Sequence, residues 1–407
     1  MNVRRLIPDR PLFGLCLLAS VVGLIAIWDS GYVRSAAAGS FLPHELKTQF
    51  IFLLLAVGLA LLCPLVSRKS LPVIGAVSFG IGVSLLLLVR YSPMGHSEGG
   101  ARRWLVIFGH TMQPSEFVKL AVILFLAAAL AGHEKWVKPK RAIRSLWQRL
   151  DKIWLPKLAR GWPLLLILPV LYFVEGQPDL ATAAVIAVCT LAIVVAAGVS
   201  WRSISTIVVV AIAFGAAAVY AQPYRLERFA RHEARWSAEN IHGSGFQPAL
   251  SEWALARGSL TGVGIGQGQA KQNRLPAATT DFVMTTVGEE TGLIGSLAVI
   301  LLLAAITWRL ICLSMRSSDR FSSLILIGIG VWIGAQTCVN IWMVNAHLPP
   351  IGIPLPFVSA GGSSLVALWL GIGTAMSVVQ RVKNEEVSSD EAGHYGWRNR
   401  RARISRA

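Results

Sequence analysis

Asp281 stands between a glycine-rich stretch carrying Gly262, Gly264, Gly266 and Gly268 and an apolar run that opens with Phe282-Val283-Met284. An aspartate in that place can cap the following helix by accepting from its free backbone amides. A carboxylate partly desolvated by Leu275, Pro276 and Phe282 can also serve as general base toward a sugar hydroxyl, and spacing alone leaves both roles open. Glu289 and Glu290 follow eight and nine residues later, about 12 Å deeper if the helix is continuous. Thr285 and Glu289 share the helical face of Asp281, which predicts a polar stripe descending from the surface.

Two more apolar runs begin on an acid. Gln113-Pro114-Ser115-Glu116 opens one, with Lys119 three residues after Glu116, and Gln177-Pro178-Asp179-Leu180 opens another close to Glu175. Each reads as a helix cap, with Glu116 and Lys119 as an ion pair on one face. A plain cap does not require a lysine inside an apolar helix, and ionisable groups at such depth usually serve a pathway or a site. Three acids on one membrane face point to chemistry on a polar substrate. Charge developing on a phosphate would need cations, and Lys119, Arg102 and Arg103 are candidates. A Mg²⁺ or Mn²⁺ ion can serve the same end, although the sequence holds no dedicated metal cage. The four glycines lack a following GK[ST] or a βαβ context, so conformational freedom in a tight loop accounts for them more simply than a phosphate cradle.

The elements that must position these groups are helical. The chain has 407 residues and a mean hydropathy of +0.58, with 54% hydrophobic and 14% charged residues. Its continuously apolar runs are of bilayer-spanning length, which predicts an all-α polytopic membrane protein and excludes an alternating β-barrel. Ten transmembrane helices are expected, near 12–28, 49–66, 71–89, 117–131, 162–174, 180–197, 204–220, 282–307, 321–344 and 364–379. The net charge of +17 gathers between these runs, where it sets topology and meets anionic lipid rather than nucleic acid. Arg68 and Lys69, the basic loop 133–161, Arg202, and Arg309, Arg316 and Arg320 fall on one side with both termini, which is therefore cytoplasmic. The large loop 222–281 between helices 7 and 8 is then extracytoplasmic, and its arginines fit an anionic ligand. The ten-helix domain covers 1–380, and the basic tail 381–407 reads as disordered. The five cysteines lie in apolar runs without a CxxC pair and read as core residues. The proline-broken stretch 348–357 is expected at the rim of the site.

QPSE with Lys119, QPDL, the GxGxG stretch leading to LPAATTDF, GEETGLIG, and LPFVSAGGSS occur in that order between Arg102 and Met376. Together they resemble the SEDS (shape, elongation, division and sporulation) family of peptidoglycan glycosyltransferases, and are more similar to its division members than to its elongation members. The resemblance implies ten spans and polymerisation of lipid II, with Asp281 as the catalytic carboxylate. It places Glu116, Lys119 and Asp179 around a central cavity, Lys47 at a basic position, and Ser363 in the GGSS run. Glu289 and Glu290 join this set as substrate-binding candidates. It also implies a class B penicillin-binding transpeptidase and other divisome or elongasome membrane proteins as partners, and a place in the bacterial cytoplasmic membrane, enriched at the division site. The chain departs from the family pattern at Ala277 and Thr279, where Glu and His are usual, at Ala181 for Gly, and at Ala360 for Tyr. A lipid flippase or ion-coupled transporter using the same acids is the alternative. It would favour inverted repeats and acids spread through the membrane, and the sequence shows neither.

Overall fold

Helix starts are written in the sequence as caps. In the computed structural model, which describes residues 6–132 and 163–380 apart from 99, 100, 108, 200, 221, 242, 244 and 274, Asp9 accepts from Leu12 N at 2.9 Å and opens α1, Arg10–Ala37. Pro43 precedes α2, His44–Leu62, and Pro72 lies in the first turn of α3, Leu71–Tyr91, where a missing amide removes no helical bond. A three-stranded antiparallel sheet follows, β1 Gly95–Glu98, β2 Ala101–Ile107 and β3 His110–Met112, in the order β1-β2-β3, with Leu105 paired to Gly95 on one side and Met112 on the other.

The chain re-enters with α4, Pro114–Ala131, and continues after the undescribed residues with α5, Pro163–Glu175, α6, Leu180–Ala196, and α7, Trp201–Tyr220. Segment 222–281 contains α8, Pro223–Glu233, α9, Phe246–Gly258, and the single turn α10, Gln269–Gln272. Then come α11, Val283–Arg316, α12, Arg320–Val344, capped by Asp319, and α13, Gly362–Gln380. Among the described residues seven helices are long and apolar enough to cross a bilayer, namely α1, α2, α3, α4, α11, α12 and α13. The shorter apolar helices α5, α6 and α7 fall where the other three spans are expected. The mostly helical architecture is therefore as expected, and the sheet and the helices of 222–281 are additions to it. The basic loop 133–161 and the tail 381–407 lie outside the described residues.

Burial sorts the long helices. In α4, α12 and α13 between 61% and 83% of the most apolar window is buried, against 28–39% in α1, α2, α3 and α11, so the first three form the centre and the others face lipid. Leu54, Val77, Leu301 and Trp308, all at least half exposed, mark that lipid-facing surface. The five cysteines are free thiols, but only Cys16 and Cys189 lie in the core as expected; Cys63 and Cys312 are half-buried and Cys338 is exposed.

α11 is two helices joined at Gly292, whose φ of 67° and ψ of −164° break the ladder. Its inner part runs antiparallel to α12: Ser314 bonds Ser323 at 2.8 Å, and Gly330 and Gly334 lie against Leu310 and Thr307. Backbone groups freed by the kink are not left bare. Val263 N and Gly264 N donate to Glu289 O and Glu290 O at 3.0 and 3.1 Å, and Leu293 N and Ile294 N donate to Ser259 O and Leu260 O at 2.9 and 3.2 Å. The glycine loop thus completes the hydrogen bonding of a broken membrane helix.

Candidate active site

The depth of Asp281 follows from α12. Asn340, one turn before the C-terminal end of α12, donates to Asp281 O at 2.9 Å. Thr285 Oγ1 meets Ser251 Oγ at 2.6 Å, and Ser251 Oγ donates to Val344 O at 2.8 Å, at the end of the same helix. The stretch from Asp281 to Thr285 therefore runs toward the C-terminal end of α12 by roughly one helical turn, about 6 Å. Asp281 is recessed, and Glu289 and Glu290 lie nearer the rim. The order of depths is the reverse of that expected from a continuous helix, because Gly292 turns the chain.

Thr285 and Glu289 do share one face, which meets Ser251 and Arg257 of α9, while Asp281 stands before the helix begins. Glu289, fully buried, accepts from Gln269 N and Ala270 N at 2.8 and 2.9 Å and from Arg257 Nη1 at 2.8 Å. Glu290 accepts from Gly266 N and Gly268 N at 2.7 and 2.9 Å and pairs with Lys271 Nζ at 2.6 Å; Lys271 also reaches Asp29 of α1 at 2.6 Å. The glycine loop does cradle an anion, but the anion is the protein's own carboxylate. These bonds assign Glu289 and Glu290 to holding α9, α10 and the loop against α11.

Around Asp281 the groups are different. A Cβ built on Gly352 would stand 3.7 Å from Asp281 Oδ2 and 3.6 Å from Arg103 Nη1, so carboxylate and guanidinium face each other across that glycine, whose φ is 71°. Arg103 is held from behind: its Nε donates to Gln177 O at 2.8 Å and its Nη2 to Pro178 O. The same turn presents Asp179, which caps α6 through Thr182 N at 3.1 Å and accepts from Gln113 Nε2 at 3.0 Å. Gln113 N in turn donates to Ser363 Oγ at 3.2 Å. Among the described residues the Asp281 carboxylate receives no hydrogen bond. Burial lifts its pKa to about 6 against the pull of Arg103, and Asp179 adds to the rise; burial likewise raises Asp179.

A second polar group lies on the adjoining faces of α4 and α12. Lys119 Nζ donates to Glu116 Oε1 and to Gln336 Oε1, both at 2.8 Å, and stands 5.2 Å from the Trp332 ring. Gln336 Nε2 closes onto Pro354 O at 2.9 Å, while Glu116 Oε2 has no partner among the described residues. The stretch 348–357 enters the bundle as irregular backbone satisfied by the amides of Gln336 and Asn340.

Of the remaining sequence candidates, Arg102 turns to Gly95 O and Ser92 O and braces the sheet, and Lys47 is exposed on the first turns of α2. The structure thus links Arg103, Asp179 and Ser363 through the 177–179 turn and Gln113, with the Asp281 carboxylate close by across Gly352 and Glu116 and Lys119 alongside. Sequence reasoning missed Gln113, Gln336, Asn340 and Gly352. Gln336 and Asn340, four residues apart in an otherwise apolar span, carried a readable signal. No group of three or more His, Cys, Asp or Glu side chains converges among the described residues, so the donor set fits no protein-built metal cage.

Residues 9–384 match the FtsW/RodA/SpoVE model, described as a cell cycle protein. The chain belongs to the FtsW/RodA/SpoVE family. It is 31% identical over 391 residues to the probable peptidoglycan glycosyltransferase FtsW of Enterococcus hirae, covering 93% of this chain and 94% of that one. Stage V sporulation protein E of Bacillus subtilis (strain 168) is 29% identical over 378 residues, covering 93% and 98%. Among solved structures, a chain from work described as structural coordination of polymerization and crosslinking by a peptidoglycan synthase complex aligns with a TM-score of 0.69 at 27% identity, covering 92% of this chain and 98% of that one. The rod shape determining protein RodA of Thermus thermophilus aligns at 0.63 and 25% identity, covering 91% and 96%. Family and helices together make this a multi-pass membrane protein of RodA-like fold.

Proposed function

We propose that this chain is a peptidoglycan glycosyltransferase that polymerises lipid II at the outer face of the cytoplasmic membrane. The observation that carries the reading is Asp281: an unbonded carboxylate, recessed among helix ends, facing Arg103 across Gly352. A base needs an open carboxylate with a pKa near working pH, and a diphosphate leaving group needs a fixed cation close by. Asp281 takes the proton of the acceptor GlcNAc 4-hydroxyl. The freed oxygen attacks the anomeric carbon of the lipid-linked MurNAc with inversion, and undecaprenyl diphosphate leaves with the bonding pair. Arg103 and Lys119 lie on the side where that negative charge develops.

An apolar groove of about 400 Å³ supports the lipid-linked substrate. It runs between α3, α4 and α13 from Met112 and Phe117 to Val66, Thr374 and Ser377. Its Met112 end adjoins Gln113, which bonds Asp179, so a polyprenyl tail lying there delivers its head group to the site. A Mg²⁺ or Mn²⁺ ion, where one takes part, is carried on the diphosphate. A class B penicillin-binding transpeptidase is the proposed partner, cytoplasmic termini the proposed topology, and the division site the proposed location, in keeping with relatives named FtsW. Purified protein, with and without such a transpeptidase, is incubated with labelled lipid II and read for glycan polymer. In parallel, vesicles are read for lipid II movement between leaflets. Polymer without movement supports the proposal, and movement without polymer overturns it in favour of a flippase.

A further inference from the structure

Three consecutive backbone carbonyls lead into the reactive side chain, and each has its own donor from the C-terminal third of the chain. Thr279 O accepts from Ala360 N at 2.9 Å, Thr280 O from Ser359 Oγ at 2.5 Å, and Asp281 O from Asn340 Nδ2 at 2.9 Å. The donors are themselves fixed. Asn340 is fully buried, and its amide nitrogen also donates to Ile353 O at 2.7 Å. Both partners can only accept, so the orientation of the amide is settled. Ser359, almost fully buried, receives Leu355 N at 2.8 Å on its hydroxyl, and Gln49 of α2 holds this irregular segment by donating to Ser359 O at 3.1 Å and accepting from Gly361 N at 3.0 Å. Asp281 stands at the end of a short irregular segment, not on a helix, so its place is defined by whatever grips these carbonyls.

We infer that Asn340 and Ser359 are positioning residues for the reaction proposed above, setting where the Asp281 carboxylate stands relative to Arg103 without touching substrate. Ile353 O, gripped by the same amide, adjoins Gly352, the residue across which Asp281 and Arg103 face each other. One side chain therefore ties the backbone of Asp281 to the residue next to Gly352, while Arg103 is held independently by Gln177 O and Pro178 O.

The test compares Asn340→Ala, Ser359→Ala and Ser359→Thr with wild type in lipid II polymerisation, using the full chain and its transpeptidase, over a range of substrate concentration and pH, with thermal unfolding of each protein. A displaced base of this kind lowers kcat by about 10–100-fold while KM stays within about threefold. Because burial is the main cause of the raised Asp281 pKa, a slackened segment also moves the acid limb of the pH profile below its wild-type position near 6. Ser359→Thr keeps the hydroxyl and restores most of the rate. A rate loss matched by loss of folded protein with an unmoved acid limb overturns the inference, as does a rise in KM alone. Should Asn340→Ala fail to fold, the Ser359 pair decides by the same criteria. Wild-type protein that makes no polymer overturns the glycosyltransferase reading and this one with it.

Discussion

Replacing Glu290 by alanine separates two roles that the sequence allows and the structure does not treat equally. The carboxylate receives two amide hydrogen bonds, from Gly266 and Gly268, and an ion pair from Lys271, and it is 4% exposed. Truncation leaves the buried Gly268 amide without an acceptor, at about 1–3 kcal/mol, and returns the amide of Gly266, an exposed residue, to solvent. Lys271 keeps Asp29 at 2.6 Å, which limits the further loss from its own charge. The expected destabilisation is about 2–4 kcal/mol, and it falls on the junction at Gly292. Thermal unfolding in detergent should show a Tm lower by about 2–5 °C, with faster hydrogen exchange or proteolysis in the segment 259–273. The KM for lipid II, measured on the protein that remains folded, should stay within about twofold, since a group that binds no substrate leaves KM alone. An unchanged Tm with a tenfold rise in KM would refute the reasoning and return Glu290 to the substrate.

Other consequences concern the charges inside the bundle. Polymerisation should fall as pH drops through about 6, because Asp281 must be ionised to accept a proton and its folded pKa lies there. Asp179→Asn removes a neighbour that raises Asp281 and should move that limb to lower pH; Arg103→Gln removes one that lowers it and should move the limb to higher pH, with loss of rate. Rate profiles of the three proteins check both signs, and shifts in the opposite senses would count against the arrangement. Lys119→Met strands Glu116 and should destabilise by about 3–5 kcal/mol, whereas Lys119→Met with Glu116→Gln should recover much of the stability and none of the activity. Unfolding midpoints and polymer yields of the two variants distinguish these outcomes.

Much of this was legible in the residues, and the failures have a common cause. Apolar run length located the helices because lipid forces backbone hydrogen bonding inside each segment, and Asp179 marks a helix start by the bond expected of a cap; the structure adds Asp9 and Asp319 in the same role. Glu116 and Lys119 were readable as a pair because three residues separate them. What was not legible depended on chain reversal. Gly292 gives no sign in the sequence that it takes a positive φ, and with that one angle the depths of Asp281 and Glu289 exchange; the shared face of Thr285 and Glu289 is closed by Ser251 and Arg257 of α9. The glycine loop was read as simple conformational freedom because its ligand, Glu290, lies twenty-odd residues away and is an internal carboxylate. The sheet 95–112 went unseen because its strands are three to seven residues long and pair only with one another. Asn340 was passed over as one polar residue in a span, although Gln336 one turn before it showed that this face of α12 meets polar backbone.

The claim on which the rest depends is that Asp281 is the base. It is tested most directly by Asp281→Asn, which keeps the shape of the side chain and removes its charge, assayed beside wild type for glycan polymer from labelled lipid II with unfolding measured on the same preparations. A rate lower by about 10²–10⁴-fold at every pH is expected, with a Tm equal to or above that of wild type because a charge that burial penalises more than Arg103 offsets has gone. Polymer formed by the variant at close to the wild-type rate would contradict it.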